Sequence, residues 1–286
     1  MNPASASIQA PSPETRAKRA RLEKLLRGYG RLIVAFSGGV DSAFLAVVAR
    51  RVLGNDMWAV TADSESLAPE ELVEARELAT RFGFTHEVVR TDELKDPRYQ
   101  ANTQDRCYFC KSVLMERLMA LARERGARVA LGANVDDLGD HRPGERAARE
   151  HGAVFPLREA GLTKAEIRAL SAELGLPTAD KPAAACLASR IPFGDPVTAE
   201  KLRQVAQAEA FLHRSGFPEC RVRHHGPVAR LELPTARLPD VLAAREELLA
   251  GIKKCGFVFV ALDLQGLRSG SLHEAVKPGA TAKLES

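Results

Sequence analysis

The stretch Leu32-Ile33-Val34-Ala35-Phe36-Ser37-Gly38-Gly39-Val40-Asp41-Ser42 decides the fold. Five apolar residues in a row, Leu32 to Phe36, have the length and continuity of a strand buried on both faces, as strands of a parallel sheet are. The run breaks into two adjacent glycines, and Ala43–Leu53 then reads as a helix stopped by Gly54. Strand, glycine turn and helix in that order expose backbone N–H groups at the positive end of a helix dipole, a site for phosphate. Glycine lets the backbone approach a phosphate chain closely, and Ser37 and Ser42 add hydroxyl donors. The lysine of a G-x-x-x-x-G-K-[ST] loop is missing, which argues against a Walker-type γ-phosphate site.

Working outward, Trp58–Thr61, His86–Arg90 and Arg128–Leu131 read as further strands. Between them, Leu72, Ala75, Leu78, Ala79 and Phe82 mark a helix over Pro69–Phe82, and another is expected over Lys111–Arg125. Thr163 with Glu166 three residues on is a capping box that opens a helix to Leu174. Strands alternating with helices imply βαβ units, hence an α/β fold with a Rossmann-like parallel sheet. Beyond Pro192 the texture changes to a smaller C-terminal α+β module. Residues 198–213 read as a helix, Cys220–Leu233 as a strand pair turned at Gly226-Pro227, Pro239–Lys254 as helical and Phe257–Leu262 as a strand. One antiparallel sheet is expected there. The organisation read from the sequence is a disordered basic leader over 1–21, the α/β domain over 22–192, the α+β module over 193–268, and a tail over 269–286.

The chain has 286 residues, 45% hydrophobic and 27% charged, with a net charge of +4. That apolar fraction excludes disorder as the main state, and no run reaches the ~18–20 apolar residues of a membrane-spanning helix. Residues 1–27 carry six basic residues against two acidic ones; taking these from totals of 41 and 37 leaves 35 of each in the rest. The body is therefore neutral, which argues against a nucleic-acid partner. The N-terminus lacks the apolar core of a secretory signal. A cytoplasmic protein with reduced thiols is expected, in which five cysteines point to metal or reactive chemistry rather than disulfides.

Cys107 and Cys110 form a C-x-x-C at the start of a helix, and Cys186 stands between Lys181 and Arg190. Zinc normally takes four ligands, and a second C-x-x-C is absent. A dithiol redox pair lacks its thioredoxin context. Three thiolates suit a [4Fe–4S] cluster with one open iron, which would carry sulfide to an activated substrate. Cys220 and Cys255 are expected only to pack.

Ser37-Gly38-Gly39-Val40-Asp41-Ser42 resembles the PP-loop of ATP pyrophosphatases, which cleave ATP between the α- and β-phosphates and adenylate an oxygen. With Arg106–Lys111, the loop from Gly132 to Gly144, Lys164-x-Glu166-Ile-Arg168, Cys186-Leu-Ala-Ser-Arg190 and Arg221-Val-Arg223-His224, the chain resembles the LarE family over residues 22–265. That resemblance implies adenylation of a carboxylate of pyridinium-3,5-biscarboxylate mononucleotide, release of pyrophosphate and conversion to a thiocarboxylate, within nickel-pincer cofactor biosynthesis. It also implies a homo-oligomer. Two versions of the family exist: in one the cysteine at the Cys186 position sacrifices its sulfur, and in the other three cysteines hold a [4Fe–4S] cluster fed by an external sulfide source. Cys107 and Cys110 match the second.

Phe36, Ser37, Gly38, Gly39, Asp41, Ser42, Asp63 and Gly132 are the nucleotide-binding candidates, with Ser64 beside Asp63. Asn134, Asp136, Asp137 and Asp140 follow a strand at the edge where open α/β sheets bind ligands, and Asp136 is a possible Mg²⁺ ligand. Arg190, Arg221 and Arg223, and less directly Arg230, suit the phosphate and carboxylates of the substrate. His224 and His225 read as a surface pair, and Glu232 as a lesser candidate. The rival readings are a tRNA thiolation enzyme, which would need a basic surface, an ammonia-using synthetase, which would not need three cysteines, and a non-catalytic nucleotide- or iron–sulfur-binding regulator.

Overall fold

A computed structural model describes residues 10–137, 143–182, 185–268 and Ser271. Asp140 and most of the tail over 269–286 lie outside the described residues. In chain order the elements are α1 (Pro13–Tyr29), β1 (Leu32–Ala35), α2 (Val40–Leu53), β2 (Met57–Asp63), α3 (Pro69–Phe82), β3 (Thr85–Arg90) and α4 (Pro97–Gln100). There follow α5 (Arg106–Arg125), β4 (Arg128–Ala130), α6 (Pro143–Glu150), α7 (Pro156–Glu159), α8 (Lys164–Glu173) and α9 (Ala199–Arg214). The last are β5 (Arg221–His225), β6 (Val228–Glu232), α10 (Leu238–Ala243), α11 (Arg245–Lys254) and β7 (Phe259–Leu262). Among the described residues no helix is long and apolar enough to cross a membrane.

The chain divides into two compact units, Met1–Glu93 with Cys107–Ala184, and Leu94–Arg106 with Ala185–Ser286. The second therefore begins at Ala185 rather than at 193, and it takes in a short segment that the sequence reading left inside the α/β domain. The reason is a side chain. Asn102, fully buried and at a positive φ of 52°, donates through Nδ2 to the carbonyls of Ile191, Pro192 and Asp195, at 3.3, 2.7 and 2.9 Å. Backbone hydrogen bonds from Gly194 to Asn102 and from Val197 to Gln100 complete the seam. Such long-range pairing carries no local sequence signal.

In the first unit, four parallel strands run in the order β3-β2-β1-β4, with Leu32 opposite Met57 and Arg128. Alternation along the strands feeds two cores. Leu32, Val34, Met57 and Ala59 pack with Phe44, Leu78 and Leu170 of α2, α3 and α8. Ile33, Val60 and Val129 pack with Met115, Leu118 and Ala122 of α5 on the opposite face. Both faces of β1 are thus covered, which explains its unbroken apolar run.

The leader is the clearest correction. Helix begins at Pro13, placed after the N-cap Ser12, whose hydroxyl accepts from the Thr15 N–H. Leu22 and Leu26 are fully buried. Arg16 and Arg19 meet Glu173, and Lys18 meets Glu166 at 2.8 Å, so three of the six basic residues pair with α8. In the second unit α9 packs on β5, and the sheet is β5-β6-β7. β5 and β6 form the expected antiparallel hairpin, but β7 runs parallel to β6, because α10 and α11 carry the chain back to the start of the sheet. The sheet is mixed rather than antiparallel.

Candidate functional site

The phosphate loop is closed by its own hydroxyls. Ser42 Oγ donates to the Gly39 carbonyl at 3.1 Å and accepts from the Ser37 N–H at 3.2 Å, and Ser37 Oγ lies 3.1 Å from Ser42 Oγ. Gly38 takes a φ of +70°, which a side chain would resist. Gly39 occupies the N-cap of α2 without a side-chain cap, leaving the first N–H groups of the helix to a ligand. Gly132, past β4, supplies closeness: a Cβ there would stand 2.9 Å from the Ser42 nitrogen. Phe36 holds the entrance, since its carbonyl accepts from Thr61 Oγ1 at 2.7 Å. With its proton given there, Thr61 accepts from His86 Nε2 at 2.8 Å, so that nitrogen carries the hydrogen. Burial, assisted by Arg76, pushes the His86 pKa down.

Around the loop stand residues from distant parts of the first unit. Asp41 is clasped by Lys164 Nζ at 2.5 Å and by Asn134 Nδ2 at 3.4 Å. Asn134 is buried, and its own carbonyl oxygen Oδ1 accepts from the Asp136 N–H at 2.9 Å. Asp136 Oδ2 accepts the backbone N–H of Lys164 at 2.7 Å, and Asp137 Oδ2 that of Asn134 at 2.8 Å. These two carboxylates thus shape the turn and anchor α8, while Asp136 remains exposed. Lys181 Nζ lies 2.6 Å from Glu74 and 3.4 Å from the Gly38 carbonyl. Asp63, Ser64, Glu65 and Arg90 line a cavity of about 250 Å³ at the carboxyl ends of β2 and β3. Lys164, which the sequence reading quoted only as part of a motif, stands at the loop, where residues Ser37–Ser42 hold no cation of their own.

The cysteines divide between the units. Cys107 and Cys110, three residues apart on the first turn of α5, share a helix face. Cys107 is exposed and Cys110 half-buried. Helix α6 comes close at both ends: a Cβ on Gly144, at its amino end, would meet the Cys107 carbonyl at 3.2 Å, and Tyr108 donates to Glu150, at its carboxyl end, at 2.5 Å. Solvent-reachable thiols of this kind suit iron–sulfur ligation. Among the described residues, no group of three or more His, Cys, Asp or Glu is gathered to hold a metal ion. Cys186 belongs to the second unit. It is exposed at the start of a short 3₁₀ turn, Leu187–Arg190, with its carbonyl bonded to the Ser189 N–H at 2.9 Å. Cys220 is buried, and burial pushes its thiol pKa strongly up; Cys255 bonds the Gly251 carbonyl.

The arginines assigned to substrate divide too. Arg190, 8% exposed, grips Glu209 through Nε and Nη2 at 2.9 and 3.0 Å, and its Nη1 donates to the carbonyls of Ala185 and Cys186 and to Ser189 Oγ. Arg106 adds a bond from Nη1 to the Ala188 carbonyl at 2.9 Å. Arg223, 3% exposed, donates to the Ser189 carbonyl and to Glu232, each at 2.8 Å. Arg230 also pairs with Glu232, at 3.0 Å, and with Asp263 at 3.3 Å. These side chains frame the Cys186 turn and the sheet. Arg221 differs: it is half-buried, bonds only the Arg268 carbonyl at 3.4 Å among the described residues, and has its pKa lowered by burial and then by Arg223 and Arg190. A guanidinium crowded by like charges gains most from an incoming anion. His224 corrects the surface reading: it is buried, with Nε2 donating to the Gln204 carbonyl oxygen at 2.8 Å and its ring against Phe257.

The asparagine synthase family matches residues 20–137. An uncharacterized protein of Synechocystis sp. is 44% identical over 263 residues, covering 90% of this chain and 98% of that protein. The pyridinium-3,5-bisthiocarboxylic acid mononucleotide synthase of Lactiplantibacillus plantarum is 38% identical over 261 residues, covering 91% of this chain and 95% of that enzyme. A tRNA-specific 2-thiouridylase of Azorhizobium caulinodans is 31% identical, covering 65% of this chain and 58% of that protein.

Proposed function

The chain belongs to the LarE family and is an ATP-dependent sulfurtransferase built on a PP-loop domain, and from that premise we propose that it converts a carboxylate of pyridinium-3,5-biscarboxylate mononucleotide to a thiocarboxylate. The observation that carries this reading is the match to the Lactiplantibacillus synthase along nearly its whole length, against little more than half of the thiouridylase. A carboxylate oxygen of the substrate attacks the α-phosphorus of ATP, the bond to the bridging oxygen breaks, and pyrophosphate departs with the electron pair. A sulfur nucleophile then attacks the carbonyl carbon of the acyl-adenylate, and AMP leaves.

The Ser37–Ser42 loop and the N-terminus of α2 bind the phosphates, with Asp63 and Ser64 bordering the nucleotide and Mg²⁺ reached through loop-edge carboxylates such as Asp136. Arg221 takes an anionic group of the substrate, with Arg190 and Arg223 setting the frame. Cys107, Cys110 and Cys186 would hold the [4Fe–4S] cluster, which supplies a sulfide site at its open iron when bound. In the alternative route the Cys186 thiolate itself displaces AMP; loss of its Cα proton and cleavage of its Cβ–S bond then leave dehydroalanine and the thiocarboxylate. A homo-oligomer in the cytoplasm completes the reading.

The test is anaerobic reconstitution with iron and sulfide, followed by ATP, Mg²⁺, sulfide and the pyridinium dicarboxylate or tRNA. Pyrophosphate and AMP are expected only with the pyridinium compound, together with a product in which sulfur replaces a carboxylate oxygen. Release with tRNA alone overturns the substrate. A full iron complement in Cys107→Ala overturns the cluster, and dehydroalanine at 186 after one turnover assigns the sacrificial route.

A further inference from the structure

Three buried guanidinium groups bond the carbonyls of the turn that presents Cys186: Arg190 those of Ala185 and Cys186, Arg106 that of Ala188, and Arg223 that of Ser189. Two of the three are neutralised, Arg190 by Glu209 and Arg223 by Glu232. Arg106 is not. It is 5% exposed, and among the described residues no carboxylate lies within ion-pair distance of it. Its partners are neutral: the Asn102 side-chain oxygen at 2.5 Å, the Ala188 carbonyl at 2.9 Å, and the Phe193 ring, centred 5.8 Å from the guanidinium carbon. All of them belong to the second unit. Both hydrogen bonds leave one nitrogen, Nη1, so the N–H groups of Nε and Nη2 stay unbonded among the described residues. Those two nitrogens form an edge by which a guanidinium grips a carboxylate through parallel bonds. A buried charge without a counter-charge is costly, and an anion on that edge offsets the cost.

We propose that Arg106 is an anion-binding residue of the Cys186 turn: its Nε–Nη2 edge takes a free carboxylate of the pyridinium substrate while its Nη1 holds the turn. This deepens the thiocarboxylate reading and rests on it. The substrate carries two carboxylates and a phosphate. Arg221 accounts for one anionic group, and the carboxylate that is not being adenylated needs a further cation. At Arg106 no covalent bond changes and no proton moves.

The experiment is alkylation of Cys186 in the reduced full chain, without ATP or metal, read by mass spectrometry of the peptide that contains it. Iodoacetate is the carboxylate probe and iodoacetamide its neutral match. Both react with the same thiolate, so the ratio of their rates reports attraction of the anion and not ionisation of the thiol. Arg106→Gln is expected to lower that ratio about tenfold, the loss of one charge-assisted contact, with the iodoacetamide rate within about twofold of the wild type. Arg106→Lys keeps the charge and most of the ratio. A merely structural role changes both rates alike and leaves the ratio unmoved, and that result overturns the proposal. Should Arg106→Gln not fold, the wild type carries the test: pyridine-3,5-dicarboxylate added as a competitor should slow iodoacetamide at Cys186, and no protection overturns the proposal. A chain that passes the alkylation test but releases no pyrophosphate with the pyridinium nucleotide keeps its anion site and loses the substrate reading.

Discussion

The two units treat positive charge in opposite ways. In the first, Lys164 and Lys181 stand partly open to solvent at the phosphate loop, each against a carboxylate that water also reaches. In the second, Arg190 and Arg223 are sealed against Glu209 and Glu232, with Glu232 fully buried and shared with Arg230 and Ser271. A half-exposed ion pair gains little and parts easily. A buried one, once assembled, cannot lose a partner without stranding a charge in a medium that solvates it poorly. The first arrangement leaves ammonium groups that part easily from their carboxylates; the second holds the shape of the turn that presents Cys186.

Breaking the buried side gives the largest effect. Glu232→Ala should cost about 3–5 kcal/mol in urea unfolding, because Arg223 and Arg230 both lose their shared carboxylate; a loss near 1 kcal/mol would place the second unit in the same class as the loop. Acid comes next. Burial, then the Lys201 charge, lowers the pKa of His224, and burial, then Arg230, lowers that of His225, with Asp195 opposing in both. The folded chain therefore binds fewer protons than the unfolded one just below the ordinary histidine value of about 6.5. That stability is complete above this value and drains away as pH falls from it toward the folded values. Thermal melting from pH 8 to 5.5 should show the fall, less steeply in His224→Gln. The smallest effect belongs to the α1–α8 contacts: Glu173→Gln, removing the partner of Arg16 and Arg19 near the surface, should change stability by under about 1 kcal/mol.

Local patterns were legible because their causes are local. The apolar run of β1, the turn at Gly38-Gly39, the Thr163–Glu166 capping box and the hairpin at Gly226-Pro227 each depend on residues a few positions apart, and each stands where the sequence reading put it. Helix α5 begins at Arg106 rather than 111, so the C-x-x-C, read as standing at the start of a helix, lies inside it. The helical leader was illegible for another reason. A basic segment looks solvated until the acidic residues that neutralise it, Glu166 and Glu173, are known to face it from about 150 positions away.

By itself, then, the sequence established a parallel sheet whose first strand ends in a phosphate loop, since backbone geometry there follows from contiguous residue types. It also singled out three cysteines from five. What only the tertiary structure decided is where charge goes. Lys164 reaches Asp41 across 123 positions and Lys181 reaches Gly38 across 143. Arg190 and Arg223, which look like substrate ligands in a one-dimensional reading, are committed to carboxylates of α9 and β6. An arginine's role depends on which anion the fold brings within about 3 Å and how much water it leaves there, and neither is written in the residues around it.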